Sequence, residues 1–191
     1  MTRRGSVIVV TGPSGVGKNT LIQAVRRRVP GLAHLVSATT RPPRDSETDG
    51  VEYFFLSDDE FDRRVTEGDF VEHAEYSGHK YGTLRSEIEG RTAAGESVIL
   101  DIEVQGARQI RKSLPATTQV FISPPSFESL RARLMKRGAD DPAEAERRLA
   151  IAKEELEARH EFDHEIVNDQ LERAVMELTT IVCQATGVTE A

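Results

Sequence analysis

Gly12-Pro13-Ser14-Gly15-Val16-Gly17-Lys18, followed by Asn19-Thr20, decides how this chain is read. The stretch fits the phosphate-loop pattern G-x-x-x-x-G-K. Glycines let backbone N–H groups turn inward toward phosphate oxygens, and the helix that follows offers its N-terminus and partial positive charge. Lys18 has the reach to set a charge beside the β- and γ-phosphates of a nucleoside triphosphate. The bare pattern arises by chance in roughly one in twenty chains of this length, given glycine near 7% of residues, so its flanks carry much of the argument. Ser6–Thr11 (SVIVVT) is a β-branched run of the kind that fills a buried parallel strand. Asn19–Val29 reads as a helix with Leu21, Ile22 and Val25 on one face, stopped by Pro30-Gly31. Position 19 holds Asn where a hydroxyl is usual. An amide oxygen ligates Mg²⁺ weakly or through water, and that ion keeps several waters in any case.

Outward from the loop, strands and helices alternate. Ser97–Asp101 (SVILD) reads as a strand, Val104–Leu114 as a helix and Gln119–Ile122 as a strand. Phe127–Arg137 reads as a helix with Leu130 and Leu134 inside, Glu165–Val167 as a last strand and Asp169–Gln184 as a last helix. This order predicts an α/β fold, a parallel sheet with helices on both faces. Asp101 then ends its strand at the carboxyl edge, where such sheets bind ligands, and can hold the waters of a metal ion. Capping the next turn is the plainer role open to it. Two stretches break the rhythm. Residues 35–94 carry turn signals (Arg41-Pro42-Pro43-Arg44, Asp49-Gly50) and read as a small inserted lobe. Residues 137–159 open with Gly138-Ala139-Asp140-Asp141-Pro142 and continue as a charged helix with sparse apolar positions at Leu149, Ile151, Ala152 and Leu156. A thin stripe holds a helix lightly, which suits a flap or lid. Residues 1–34, 95–136 and 160–191 make the core.

The composition narrows the class. The chain has 191 residues, 38% apolar and 30% charged, which suits one globular domain with insertions. No apolar run approaches the roughly 18 residues of a membrane span, and no signal peptide precedes the first strand. A cytoplasmic location and no membrane partner follow as expectations. The lone Cys183 excludes an internal disulfide and a multi-cysteine metal site, and reads as a buried bystander. Residues 1–44 hold eight basic residues and no acidic one, within a net charge of −7. Positive charge is thus concentrated where an anion binds. The overall acidity argues against a nucleic-acid partner. Arg26–Arg28 read as the solvent face of a helix.

A third feature is arginine supply. Arg131, Arg133, Lys136, Arg137, Arg147 and Arg148 cluster around the flap. Phosphoryl transfer rests on positioning and on neutralising charge, and arginines on a flap arrive only as substrate closes it. Arg131 and Arg133 fit solvated helix positions equally well.

Several further segments resemble one family in order and spacing. Ser37-Ala38-Thr39-Thr40-Arg41-Pro42-Pro43-Arg44 and Gly50-Val51-Glu52-Tyr53-Phe54-Phe55 resemble the acceptor-lobe signature of guanylate kinases. So do Phe70-Val71-Glu72-His73-Ala74, Tyr81-Gly82-Thr83, Ile99-Leu100-Asp101-Ile102-Glu103-Val104-Gln105-Gly106 and Ile166-Val167-Asn168-Asp169. The resemblance implies transfer of the γ-phosphoryl of ATP to GMP with Mg²⁺, on a P-loop core with a GMP-binding lobe and a helical lid. It implies that Arg41, Arg44, Tyr53 and Tyr81 hold the acceptor's phosphate. Arginine forks and tyrosine hydroxyls suit a phosphate dianion. It implies that Ser37, Glu72, Thr83 and Glu103 read guanine, whose N1–H and N2–H₂ call for a carboxylate acceptor. Glu103 stands where Asp is common in the family. Arg137 and Arg148 match lid arginines on the donor phosphates, and Asn168 a position beside the donor base. Catalysis would then rest on Lys18, Arg41, Arg137 and Arg148, with Asn19 and Asp101 serving the metal through water. The five histidines show no metal-like spacing. A kinase for another small phosphate acceptor needs the loop and lid but not Ser37, Glu72 and Thr83 together. A non-catalytic, protein-binding domain of this type usually has a damaged phosphate loop. Oligomeric state is left open.

Overall fold

A computed structural model describes residues 4–76, 78–137 and 142–190, with the side chains of residues 76, 136, 137 and 142–145 outside the description. The Arg137 side chain and residues 138–141, which open the flap, therefore lie outside the described residues. In chain order the elements begin with β1 (Val7–Thr11), α1 (Lys18–Arg28), β2 (Leu32–His34), β3 (Ser37–Thr39) and β4 (Tyr53–Phe55). Then come α2 (Asp58–Glu67), β5 (Phe70–Tyr76), β6 (His79–Leu84), α3 (Arg85–Ala93), β7 (Ser97–Asp101) and α4 (Val104–Ser113). The chain continues with β8 (Thr118–Ser123), α5 (Phe127–Arg137), α6 (Pro142–Glu157), a 3₁₀ turn at Arg159–Glu161, β9 (His164–Val167) and α7 (Leu171–Thr186).

β1 is the middle strand of a five-stranded sheet in the order β2-β7-β1-β8-β9. Every pairing in it is parallel. Successive side chains of a strand point to opposite faces, so a strand covered on both sides must be apolar throughout. Ile8 and Val10 enter one cluster, with Leu21, Ile22 and Val25 of α1, Leu130 of α5 and Leu178 of α7. Val9 enters the other, with Ile88 of α3, Ala107 and Ile110 of α4 and Phe121. The three β1 side chains are fully buried, and each contributes roughly 1.5–3 kcal/mol of transfer free energy as an upper figure.

The remaining strands form a four-stranded sheet in the order β4-β3-β6-β5. Its own small core is Ala38, Phe61, Phe70 and Leu84, with the Phe61 and Phe70 rings stacked at 4.4 Å. α2 is launched by Ser57, whose hydroxyl accepts the Glu60 N–H, and stopped by Gly68 at φ 75°.

Some sequence expectations need correction. β2 was not foreseen: three residues are too few to show a period, and the strand exists because its backbone pairs with β7. α7 starts at Leu171 rather than Asp169, because the Asp169 carboxylate turns back to accept the Gln170 N–H at 2.5 Å and an Arg173 N–H at 2.6 Å. Ile151 is 41% exposed. The buried stripe of α6 runs through Leu149 and Ala152, three residues apart on one face, and Ile151 falls between them. Cys183 is half-buried rather than buried, at the margin of α7's apolar face. Burial and then Glu190 push its thiol pKa up, which leaves it protonated and unreactive.

Candidate active site

The Gly-rich loop bridges β1 and α1, and backbone geometry explains two of its glycines. Gly12 has φ 134°, and a Cβ there would sit 2.3 Å from the Ile122 carbonyl oxygen. Gly17 has φ 102°, and its Cβ would meet Asn168 Nδ2 at 2.7 Å. Only glycine combines that conformation with that approach. Val16 is fully buried and ties the loop to the core. The Asn168 amide donates to the Val16 carbonyl at 2.8 Å. Arg133 donates to the carbonyls of Val16 and Asn168, both at 3.3 Å. Arg133, which the sequence left undecided, therefore braces the loop, whereas Arg131 pairs on the surface with Glu146 at 3.4 Å, a contact worth about 0–1 kcal/mol.

Lys18 is only 8% exposed. Its Nζ donates to the Gly12 carbonyl at 2.7 Å and the Pro13 carbonyl at 3.5 Å, and lies 3.7 Å from Asp101 Oδ1. The sheet sets up the last pairing: Asp101 is in register with Val10, just before the loop. Burial alone would lower the lysine's pKa, but Glu103, Asp101 and Glu155 outweigh it and hold it above its ordinary value. Burial raises the Asp101 pKa, with Lys18 opposing. These groups line a cleft of about 310 Å³ with Ser14, Gly15, Gly17, Asn19, Thr20, Ser37, Tyr53 and Glu103. Asn19 Oδ1 accepts from Gln23 at 3.0 Å.

A second cavity of about 260 Å³ adjoins the first, sharing Ser37, Tyr53, Asp101 and Glu103 and adding Glu72, Tyr81 and Gly106. Glu72 is 6% exposed and accepts the Thr83 hydroxyl at 2.7 Å. Burial pushes its pKa up to about 7 despite the Thr83 bonds. The Tyr53 and Tyr81 rings meet edge-on at 6.1 Å, and burial raises the Tyr53 phenol's pKa, so its hydroxyl stays a donor. Arg41 lies 5.4 Å over Tyr53. Its Nη2 donates to both Glu47 oxygens, at 2.8 and 2.9 Å. Glu47 also accepts the Arg44 backbone N–H at 2.8 Å, so one carboxylate shapes the whole Arg41–Glu47 turn. The Arg44 side chain is exposed on that turn, and Arg148 is half-buried on α6. Neither lines the two cavities.

Two residues escaped the sequence reading, and a third, Gly106, stood there only inside a quoted signature segment with no role of its own. Glu47 lies in a turn-rich stretch where a carboxylate looks like solvent surface. Glu155 lies on α6 three residues after Ala152, on the buried stripe. Burial and Glu103 push its pKa up to about 8. The spacing was visible, but a carboxylate breaks an apolar pattern. Gly106 lines the second cavity directly against Glu72.

Among the described residues, no three His, Cys, Asp or Glu groups converge as a metal cluster. The oxygen donors on the cleft wall, Asp101 and Asn19, suit a hard cation that keeps its waters and takes its remaining ligands from phosphates.

A strand, Gly-rich loop and helix that aim a buried lysine at one cavity, with a carboxylate-bearing cavity alongside, have the layout of a P-loop phosphotransferase. The chain belongs to the guanylate kinase family, whose model matches residues 4–185. It is 50% identical over 178 residues to the guanylate kinase of Thermosynechococcus vestitus, covering 93% of each chain. It is 51% identical over 180 residues to that of Rubrobacter xylanophilus, covering 94% of each. The crystal structure of guanylate kinase from Anaplasma phagocytophilum superimposes with a TM-score of 0.76 at 30% identity, covering 96% of this chain and 87% of that one. A gluconokinase from Sinorhizobium meliloti shares the fold alone, with a TM-score of 0.51 at 19% identity.

Proposed function

We infer that this chain transfers the γ-phosphoryl group of ATP to GMP, giving ADP and GDP in purine nucleotide metabolism. The observation that carries the reading is the shared wall between the Lys18 cleft and the Glu72 cavity, an arrangement that suits a donor phosphate beside an acceptor. In one in-line step a phosphate oxygen of GMP bonds to the γ-phosphorus as its bond to the β-bridging oxygen breaks. The loop residues Gly12–Thr20 cradle the donor phosphates through backbone N–H groups. Lys18 leaves the Gly12 carbonyl and neutralises the charge that shifts toward the β–γ bridge. Arg41, Arg44, Tyr53 and Tyr81 hold the GMP phosphate. Glu72, with Thr83, Ser37 and Glu103, reads the guanine edge, and Asn168 flanks the donor base. Asp101 and Asn19 would hold a Mg²⁺ ion through water, and the ion would supply further charge neutralisation on the donor phosphates. Residues 35–94 act as the acceptor lobe on a core of 1–34, 95–136 and 160–191. Residues 137–159 act as the lid and bring Arg137 and Arg148 over the donor. No helix among the described residues is long and apolar enough to cross a membrane, and a cytoplasmic location fits the substrates.

The test is ADP production from ATP and Mg²⁺ with GMP, AMP, CMP and UMP offered separately. Fast turnover with GMP alone is expected. Equal turnover with another acceptor, or none despite ATP binding, would refute the reading.

The raised Glu72 pKa gives a pH prediction. Guanine's two donors bind the carboxylate, so the acid form must lose its proton before GMP binds. Below about pH 7 GMP affinity falls as pH falls, approaching tenfold per unit. The nucleotide's own phosphate titrates near pH 6, so the slope is compared with that of Glu72→Gln by calorimetry. Identical slopes in both proteins would remove Glu72 from the linkage.

A further inference from the structure

Gly106 is buried in α4, on the turn that faces β5. Its backbone is helical and does not require glycine. Glycine in a helix interior costs about 1 kcal/mol relative to alanine. What distinguishes the position is its neighbour. A Cβ on Gly106 would lie 2.5 Å from Glu72 Oε2, 3.2 Å from Cδ and 3.6 Å from Cγ. Carbon contacts become favourable only near 3.5–4.0 Å. The carboxylate cannot slide away without loss, because its other oxygen accepts the Thr83 hydroxyl at 2.7 Å and the side chain is 6% exposed. The contrast with Gly90 is direct. Gly90 is also helical, in α3, and a Cβ there meets nothing within 4 Å.

We propose that Gly106 is a specificity-determining position: its missing side chain is the seat of the Glu72 carboxylate, and so sets which base the acceptor cavity takes. Thr83 holds one oxygen, and the space over Gly106 admits the other. Together they fix the plane in which the carboxylate meets two N–H donors. Any side chain at 106 tips that plane and breaks the paired geometry while leaving the donor side untouched. This rests on Glu72 as the base reader.

The test compares wild type, Gly106→Ala, Gly90→Ala, Glu72→Gln, Glu72→Asp and Glu72→Asp with Gly106→Ala. The readouts are kcat and KM for GMP and AMP, calorimetric ATP affinity, and Tm. Gly106→Ala is expected to raise KM for GMP by about 10–10²-fold, the loss of roughly one charge-assisted hydrogen bond. The GMP-to-AMP preference falls with it, while ATP affinity stays at the wild-type value. Gly90→Ala leaves all kinetic constants unchanged. A shorter acid withdraws from the clash, so adding Gly106→Ala to Glu72→Asp costs no further preference for GMP. If Glu72→Gln loses base preference and Gly106→Ala keeps it, the inference is overturned and the base-reader reading stands. If both keep it, the reading of Glu72 falls and the inference with it. Should Gly106→Ala fail to fold, the double variant must fold, because the obstacle is the Glu72 side chain; an unfolded double variant also overturns the proposal.

Discussion

Lys18→Ala lowers kcat by at least about 10²–10³-fold, the cost of one preorganised charge contact at a transition state, while the chain still folds. Among the described residues, Lys18 is the cation that pairs with Asp101 on the cleft wall, at 3.7 Å. Its carbonyl bonds to Gly12 and Pro13 keep it poised over the loop. Truncation also removes the charge that offsets Asp101, Glu103 and Glu155. Lys18 lowers the pKa of Asp101 and of Glu155, so without it both rise further and their ionised forms become costlier. Near pH 5 Glu155, whose pKa is pushed up to about 8, is protonated and needs no cation. The Tm difference between wild type and Lys18→Ala is therefore small near pH 5 and widens toward pH 8. Normal turnover in a folded Lys18→Ala protein would remove the phosphate-loop assignment. A Tm difference independent of pH would remove the carboxylate coupling.

The contact between Lys18 and Asp101 was foreseeable although 82 positions separate them, because a parallel sheet delivers successive strand ends to one edge. The register of Val10 with Asp101 is that rule at atomic scale. The alternation of apolar runs with amphipathic segments likewise made the core legible. Physical limits explain what was missed. β2 has too few residues to carry a period and depends on pairing with β7. Glu155 falls on the apolar spacing of α6 but breaks its apolar pattern, and only the tertiary placement of α6 buries it beside Glu103. Arg133 carries no local sign of its bonds to Val16 and Asn168, which come from elements more than 30 residues away. Gly106 reads locally as a weak helix position. Its reason lies on the neighbouring strand β5, in a carboxylate that a methyl group would displace.

Glu72→Gln abolishes the preference for GMP over AMP and makes the unliganded protein more stable at neutral pH. Two charge-assisted hydrogen bonds at roughly 1.5–3 kcal/mol each translate into a loss of about 10²–10⁴ in kcat/KM for GMP. A Gln amide accepts from one guanine N–H and turns its own N–H₂ toward the other, whereas adenine N1 is an acceptor and gains a partner. The ratio of the two substrates thus moves more than either rate. The stability effect has the opposite sign for a stated reason. Burial raises the Glu72 pKa from 4.5 to about 7, so the folded state binds a proton more tightly than the unfolded chain. Its contribution is neutral below pH 4.5, grows unfavourable as pH rises through that window, and levels off above about 7. Gln carries no charge and keeps an acceptor for the Thr83 hydroxyl. The Tm of Glu72→Gln should therefore exceed that of wild type by an amount that increases from pH 5 to pH 7.5, measured without nucleotide. A carboxylate held at a cost in the empty protein, and relieved when two N–H donors arrive, is what a base-reading group requires. A variant that lost GMP preference and stability together would instead mark Glu72 as a structural residue whose removal damages the lobe.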